Sequence, residues 1–428
     1  MIKLMFSHFL LTSIMKFIAD LHLHSKYSRA TSKEMNLASL DKGAKIKGIQ
    51  VLGTGDFTHP LWFKELKEKL EPAEAGLYRL KNNGSETRFM LTAEISSIYS
   101  QGNKVRRIHN LVLAPSFEVA EKINIVLSWQ GNLAADGRPI LGISSIDLAK
   151  LVFNISAEAV IIPAHAWTPW FSIFGSMSGF DSIEECFGEF SKNIFAIETG
   201  LSSSPDMNWR LSKLDNISLI SNSDAHSAGK LGREANVFDA ELSYSGIISA
   251  IKEKDPKKFL YTIEFFPEEG KYHYDGHRLC GIVFSPIESK AHNNICPKCG
   301  KPLTIGVMNR VEKLADRPEG FKPANRVPFK KVVPLDEIIA EVFGVLPNSK
   351  KVKSEYERLT GIFGSELKIL LEVDLSDIKA ESSPELSEGI KRTREGKIKI
   401  RPGYDGEYGK VRIFEESEPK NSREATLF

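Results

Sequence analysis

Five histidines and four carboxylates in the first 226 residues have types and spacings suited to metal chemistry. Asp20-Leu21-His22-Leu23-His24-Ser25 sets two imidazoles two residues apart, so that in an extended strand both face one side and can grip one ion. Asp56 follows a β-branched run through Gly53-Thr54-Gly55, and Glu94 follows the next such run. His109 opens a fourth run, His165 follows a fifth, Glu198 closes a sixth, and Ser223-Asp224-Ala225-His226 follows a seventh. Such a mixed imidazole–carboxylate set suits Zn2+, Mn2+ or Fe2+ rather than Mg2+ alone. It is too large for one tetrahedral ion, so two or three ions with a bridging carboxylate are expected. A cluster of that kind makes hydroxide near neutral pH and stabilises the entering and leaving oxygens of a phosphoryl group.

A second constellation lies downstream. His277-Arg278-Leu279-Cys280 and Cys296-Pro297-Lys298-Cys299-Gly300 give HxxC and CxxC pairs separated by fifteen residues. Two-residue gaps let each pair aim at one tetrahedral ion, and a structural Zn2+ on His277, Cys280, Cys296 and Cys299 is expected. His273 and His292 are rival fourth ligands, and Cys186 reads as core.

These residues need elements to place them. Strand patterns run over Phe17–Ala19, Ile49–Leu52, Arg88–Ala93, Asn110–Ala114, Ala159–Pro163, Ile194–Glu198 and Ser218–Ser221, with helical patterns between several of them, such as Trp62–Leu70 and Phe117–Gln130. This βα order predicts an α/β fold with a helix-covered parallel sheet, open or closed into a barrel, and ligands at the carboxyl ends of its strands. A boundary is expected where the pattern changes near Lys258–Gly270. The cysteine module would span 266–311 and a mostly helical, basic region 312–428, with helical patterns at Val311–Ala315, Leu335–Phe343 and Val352–Phe363. Lys379–Gly389, rich in Ser, Pro and Glu, reads as a loop. Residues 1–16 read as a leader or loose arm ahead of a first domain over 17–265, with Met15 an alternative start.

At 428 residues, with 42% hydrophobic and 26% charged side chains, the chain is excluded from the disordered and disulfide-dense classes. No long uncharged apolar run suggests a membrane span, and a cytoplasmic, nucleoid-associated protein is expected. Scarce Gln and Cys with plentiful Lys and Glu hint at a thermophile. Lys and Arg total 57 against 55 Asp and Glu, yet 12 against 5 fall in Lys271–Lys331 and 8 against 3 in Lys391–Arg412. An acidic body with two basic segments fits a polyanion-binding apparatus beside a carboxylate-rich centre. Arg310, Arg317, Arg392, Arg394 and Arg401 are candidate phosphate contacts, as is Arg29, whose guanidinium suits phosphate oxygens. The stretch after His165 carries Trp167, Trp170 and Phe174, which either stack on a base or pack the loop down.

The HxH pair, Gly-x-Asp, Glu94, spaced histidines and final DxH resemble the polymerase-and-histidinol-phosphatase (PHP) superfamily. That resemblance implies a distorted (βα)7 barrel with up to three ions and phosphoester hydrolysis. It implies that His22, His24, Glu94 and Asp224 hold one ion, and that Glu94 bridges to a second held by His109 and His165. Asp56 and His226 would help hold a third, Asp56 standing where many relatives have a histidine. Lys271-Tyr272-His273-Tyr274-Asp275-Gly276-His277-Arg278, Leu303-Thr304-Ile305-Gly306-Val307, the stretch Arg310–Arg317 and Arg401-Pro402-Gly403-Tyr404-Asp405-Gly406-Glu407-Tyr408-Gly409 further resemble the endonuclease Q family of archaeal DNA-repair nucleases. This implies cleavage 5′ of deaminated bases (uracil, hypoxanthine, xanthine) and abasic sites in double- or single-stranded DNA, leaving 3′-hydroxyl and 5′-phosphate. Glu94, Asp224 and His226 are then the expected catalytic residues, with His226 either holding an ion or protonating the leaving oxygen. Two or three active-site ions (Zn2+, Mn2+ or Mg2+) and a monomer are expected, and a replication sliding clamp is admitted as a partner. The rival classes are a small-molecule phosphoesterase and an inert DNA-binding protein.

Overall fold

The computed structural model describes residues 14–81 and 84–415; residues 1–13 of the expected leader lie outside them. Ten strands organise the part that matters for the site. They are β1 (Ile14–Asp20), β2 (Val51–Gly53), β3 (Arg88–Gln101), β4 (Lys104–Ala114), β5 (Val160–Pro163), β6 (Ala196–Glu198), β7 (Ser218–Ile220), β8 (Ala235–Glu241), β9 (Phe259–Glu264) and β10 (Phe329–Lys331). The first strand thus begins three residues ahead of the expected Phe17, because Ile14, Met15 and Lys16 already pair with β8.

The expectation of an all-parallel sheet is corrected. β1, β2 and β3 are parallel, but β3 and β4 form a long antiparallel hairpin from Leu91↔Ala114 to Gln101↔Lys104. β5 pairs antiparallel with β4, and β8 lies antiparallel between β1 and β9. β10 adds to β9 in parallel, and β6 and β7 form a separate parallel pair. The result is a mixed α/β fold around a central sheet.

Alternation along the strands divides the core in two. Phe17, Val51, Met90, Leu111, Ile162, Ala196, Ile220, Phe238 and Phe259, one from each of β1 to β9, belong to one apolar cluster. Their neighbours Leu52, Leu91, Val112, Ile161, Ile197, Leu219 and Val237 pack into a second cluster, shared with the helices. This two-residue period is what a sheet buried on both faces requires. Helix Tyr244–Glu253 joins the inner cluster through Tyr244, Ile247, Ala250 and Ile251.

Beyond β9 come a small hairpin (Asp275–His277 with Ile282–Phe284), helix Pro286–Ala291 and helix Val307–Leu314. Five helices then follow between Leu335 and Arg394, and a basic hairpin of Lys399–Arg401 with Lys410–Arg412 ends the described chain. The expected loop at Lys379–Gly389 is instead mostly helical. Ser382 separates helix Leu375–Glu381 from helix Pro384–Arg394, which Ser383 caps by accepting from Leu386 N; Pro384 sits at the first helical position, where its missing N–H costs nothing. No helix among the described residues is long and apolar enough to cross a membrane.

Candidate metal centre

The ligand-type residues converge: His22, His24, His165 and Asp224 lie just past the ends of β1, β5 and β7, whereas Glu94 and His109 lie within the β3–β4 hairpin. One ligand atom each from His22, His24, Glu94 and Asp224 lies within 4.8 Å of the others, and the same holds for Glu94, His109 and His165. Glu94 belongs to both groups. Its Oε1 meets His109 Nδ1 at 2.7 Å and His165 Nε2 at 3.0 Å, while its Oε2 meets His24 Nε2 at 3.1 Å. Three of these site residues have positive φ: His165 (30°), Asp224 (47°) and, just behind them, Asp56 (48°). Non-glycine residues in that region are strained, and such strain persists where the surroundings impose it.

A second layer fixes which ring nitrogen faces the centre. A carboxylate can only accept, so His22 donates through Nδ1 to Glu198 at 3.0 Å and His24 through Nδ1 to Asp56 at 3.0 Å. Both rings therefore turn Nε2 to the site, the nitrogen an ion would take. The Thr168 hydroxyl donates to the Trp170 carbonyl at 2.8 Å, which leaves it to accept from His165 Nδ1 at 3.2 Å. Buried and without hydrogen-bond partners, His22 Nε2, His24 Nε2 and Asp224 Oδ1 face one another. Ligand atoms gathered without partners in a buried space fit a cation, so the residues present fit divalent ions.

The electrostatics agree with that fit. Burial alone would lower the pKa of His22, but Glu198, Glu94 and Asp224 raise it well above the usual imidazole value. Burial likewise opposes, and Asp56, Asp224 and Glu94 overcome, in raising that of His24. Burial would raise the pKa of Glu94, yet His109, Arg138 and His22 hold it well below the usual carboxylate range. His109, by contrast, is pushed down to about 4 by burial.

Two expected ligands stand elsewhere. Asp56 lies outside both converging groups and spends Oδ1 on His24 and Oδ2 on Ser25 N (2.6 Å) and the Ser28 hydroxyl (2.9 Å), contacts that orient His24. Gly137 closes it off: a Cβ there would lie 2.3 Å from Asp56 Oδ2. His226 sits at the rim with its ring 4.5 Å from that of His24, donating through Nδ1 to the Asp224 carbonyl at 2.8 Å. Its Nε2 is thereby left as an acceptor. Arg138, absent from the sequence expectations, donates to Glu94 Oε2 at 3.0 Å. Its Asp136-Gly137 turn was the one local signal that something is placed there.

The cysteine group also converges: His277, Cys280, Cys296 and Cys299 offer atoms within 4.8 Å of one another. Burial pushes the Cys296 thiol up, but backbone N–H groups of Lys298 and Cys299 bring it down to about 7, toward the thiolate that metal binding needs. The rivals lie outside this group, His273 buried and His292 stacked on Phe284 at 4.8 Å.

The expected DNA contacts divide sharply. Trp167 is 1% exposed and donates to Asn208 at 2.7 Å, so it packs the loop. Arg310 is spent on the Phe174 and Phe180 carbonyls and Asp181, and Arg317 grips Asp215 through two nitrogens. Arg394 caps a helix end, donating to the carbonyls of Ile369, Leu370 and Val373. Arg392 donates to Glu388 and lies over Phe414. Carbonyls and carboxylates of the protein thus engage guanidinium groups that the sequence had offered to phosphate. Arg29 (side chain 82% exposed), Arg401 and, at 36%, Trp170 remain accessible. Trp170, Phe171, Lys271 and Tyr272 line a cavity of about 500 Å3.

Residues 334–397 match the MJ0043 C-terminal domain family. The uncharacterized protein MJ0043 of Methanocaldococcus jannaschii is 34% identical over 255 residues, 58% of this chain, which spans 31% of that relative's length. The lesion-specific endonuclease PfuEndoQ of Pyrococcus furiosus is similar in structure with a TM-score of 0.84 and 32% identity, over 94% of this chain and 96% of that one. An endonuclease Q bound to a 27-mer duplex with an abasic lesion at its active site aligns with a TM-score of 0.82 and 33% identity, over 94% and 98% of the two chains.

Proposed function

Because the chain belongs to the endonuclease Q family, we propose that it is a metal-dependent DNA repair endonuclease that cuts the phosphodiester 5′ of a deaminated or abasic nucleotide. The observation that carries this reading is the pair of buried ligand groups sharing Glu94 at one end of the sheet. We read the nine strands around one inner cluster as the distorted (βα)7 barrel, and the cysteine group as a structural Zn2+ site.

His22, His24 and Asp224 would hold one ion, His109 and His165 a second, and Glu94 would bridge. Divalent ions there supply Lewis acidity and lower the pKa of water. The chain's own residues do the rest. Glu198, Asp56 and Thr168 hold the ligand rings in register. His226, whose pKa burial lowers, is neutral near pH 7 with Nε2 free to take a proton from the attacking water. As the phosphorus–oxygen bond breaks on the opposite side of the phosphorus, the leaving 3′-oxygen takes its proton from water there, giving 3′-hydroxyl and 5′-phosphate. Arg29 and the basic hairpin around Arg401 would hold the backbone, with Trp170 placed to meet a base.

The test uses labelled duplexes carrying uracil, hypoxanthine, an abasic site or no lesion, with and without chelator. Nicking 5′ of the lesion that chelator abolishes is expected. Equal cutting of the undamaged duplex would remove the repair assignment.

A further inference from the structure

We infer that Arg138 is a catalytic residue that binds a non-bridging oxygen of the scissile phosphate while Glu94 holds it beside the metal ligands. The inference rests on the phosphoesterase reading above and adds a substrate contact to it.

The loop carrying Arg138, between helices Phe117–Ser128 and Ser145–Ile155, is fixed from several sides. Asp136 accepts from Arg29 N at 3.2 Å and from Arg138 N at 3.1 Å. Gly137 N donates to the Tyr27 carbonyl at 3.0 Å, and the Thr58 hydroxyl donates to the Gly137 carbonyl at 3.3 Å. The point from which the side chain departs is thus set before the guanidinium makes any contact.

The guanidinium itself is only partly used. Nη1 donates to Glu94 Oε2, whereas Nε and Nη2 have no acceptor among the described residues, and the side chain is 26% exposed. Arginines that serve packing here look different: Arg310 and Arg394 each meet three acceptors. A fixed positive charge at 3.0 Å from the shared carboxylate also opposes ion binding by Coulomb repulsion. That cost is offset only when an anion joins the site. A phosphodiester is such an anion, and paired guanidinium N–H groups match two of its oxygens. Donors aimed at charge that develops in the transition state act most strongly in a site closed to water.

The experiment compares the metal-loaded full chain with Arg138→Ala and Arg138→Lys. It measures ions per chain by elemental analysis, inorganic phosphate affinity by calorimetry, and single-turnover cleavage of a lesion duplex. Arg138→Ala should keep the wild-type ion count, bind phosphate about tenfold more weakly, and cleave roughly 100- to 1000-fold more slowly. Arg138→Lys should be intermediate, and methylguanidinium should restore part of the Arg138→Ala rate. Loss of an ion would make Arg138 a positioning residue of the cluster and overturn the inference, as would unchanged phosphate affinity. Should the wild type fail to cut lesion DNA, the repair reading falls, while ion count and phosphate affinity still judge Arg138.

Discussion

An imidazole serves as a metal ligand only if its other nitrogen has a place to keep its proton, and here those places are Glu198 and Asp56. Asp56→Asn should therefore weaken metal binding by about 10- to 100-fold without unfolding the protein. Competition against a chromophoric chelator measures it, and unchanged affinity would return Asp56 to the periphery. The same carboxylates raise the pKa of His22 and His24, so in the metal-free protein both rings keep a second proton above the ordinary imidazole range. An ion must displace those protons. Affinity should accordingly rise with pH above ~6.5 and fall below it, with about two protons released on loading. Calorimetry in buffers of different ionisation enthalpy counts them, and no release would mean that the rings are neutral. The sequence made the ligand types legible, because strand-end His and Asp recur in step with the strands. It could not tell whether a carboxylate grips an ion or a ligand, since both jobs use the same side chain. The hydrogen bonds of Asp56 to His24, Ser25 and Ser28 come from the folded surroundings, a φ of 48° and the approach of Gly137 among them. Arg138 meets Glu94 from 44 residues away in a contact that no spacing announces.

At the scale of elements, the departure from a parallel sheet has a local origin. β3 and β4 meet at Gly102 and Asn103, with φ of 61° and 58°, the positive pair that a two-residue hairpin needs. The polar stretch between the two apolar runs hid the hairpin, because its far half carries Arg106 and Arg107 where a strand's apolar alternation was sought. The cysteine module shows the opposite case. Its two-residue gaps dictate tight turns whatever surrounds them, so the spacing was enough to name all four converging residues. A Cys296→Ser/Cys299→Ser variant should lose one zinc per chain while keeping the ions at Glu94, and elemental analysis decides it. Unchanged zinc content would refute the site.

Over the whole molecule, Glu366 ties the C-terminal helices to helix Leu37–Lys47 of the first domain. Buried, it pairs with Lys47, accepts from the Tyr356 hydroxyl and receives Leu335 N at 3.1 Å. Removing one partner of a buried pair costs about 3–5 kcal/mol because the other charge is left behind. Glu366→Ala should lower the unfolding free energy by that order in denaturant titration, and a change below about 1 kcal/mol would show that water takes over the role.

Charge at this scale distinguishes two arginines only seven residues apart. Arg394 is consumed by three carbonyls, whereas Arg401 stands opposite Lys410 and Lys399 opposite Arg412 on one exposed ribbon. Like charges directly across a ladder destabilise it, a cost that a polyanion lying on the ribbon would remove. Glu415 relieves Lys399, at 2.7 Å. Binding of duplex DNA should weaken steeply with salt, as counterions return to the phosphates. Arg401→Ala should lower the slope of log affinity against log salt by about 1, equally for lesion and undamaged duplexes. Arg394→Ala should leave that slope alone and lower the melting temperature, since it strands three carbonyls. An unchanged slope in Arg401→Ala, or a slope that moves with Arg394→Ala, would take the ribbon out of the DNA-binding surface and leave backbone contacts to the rim around Arg29.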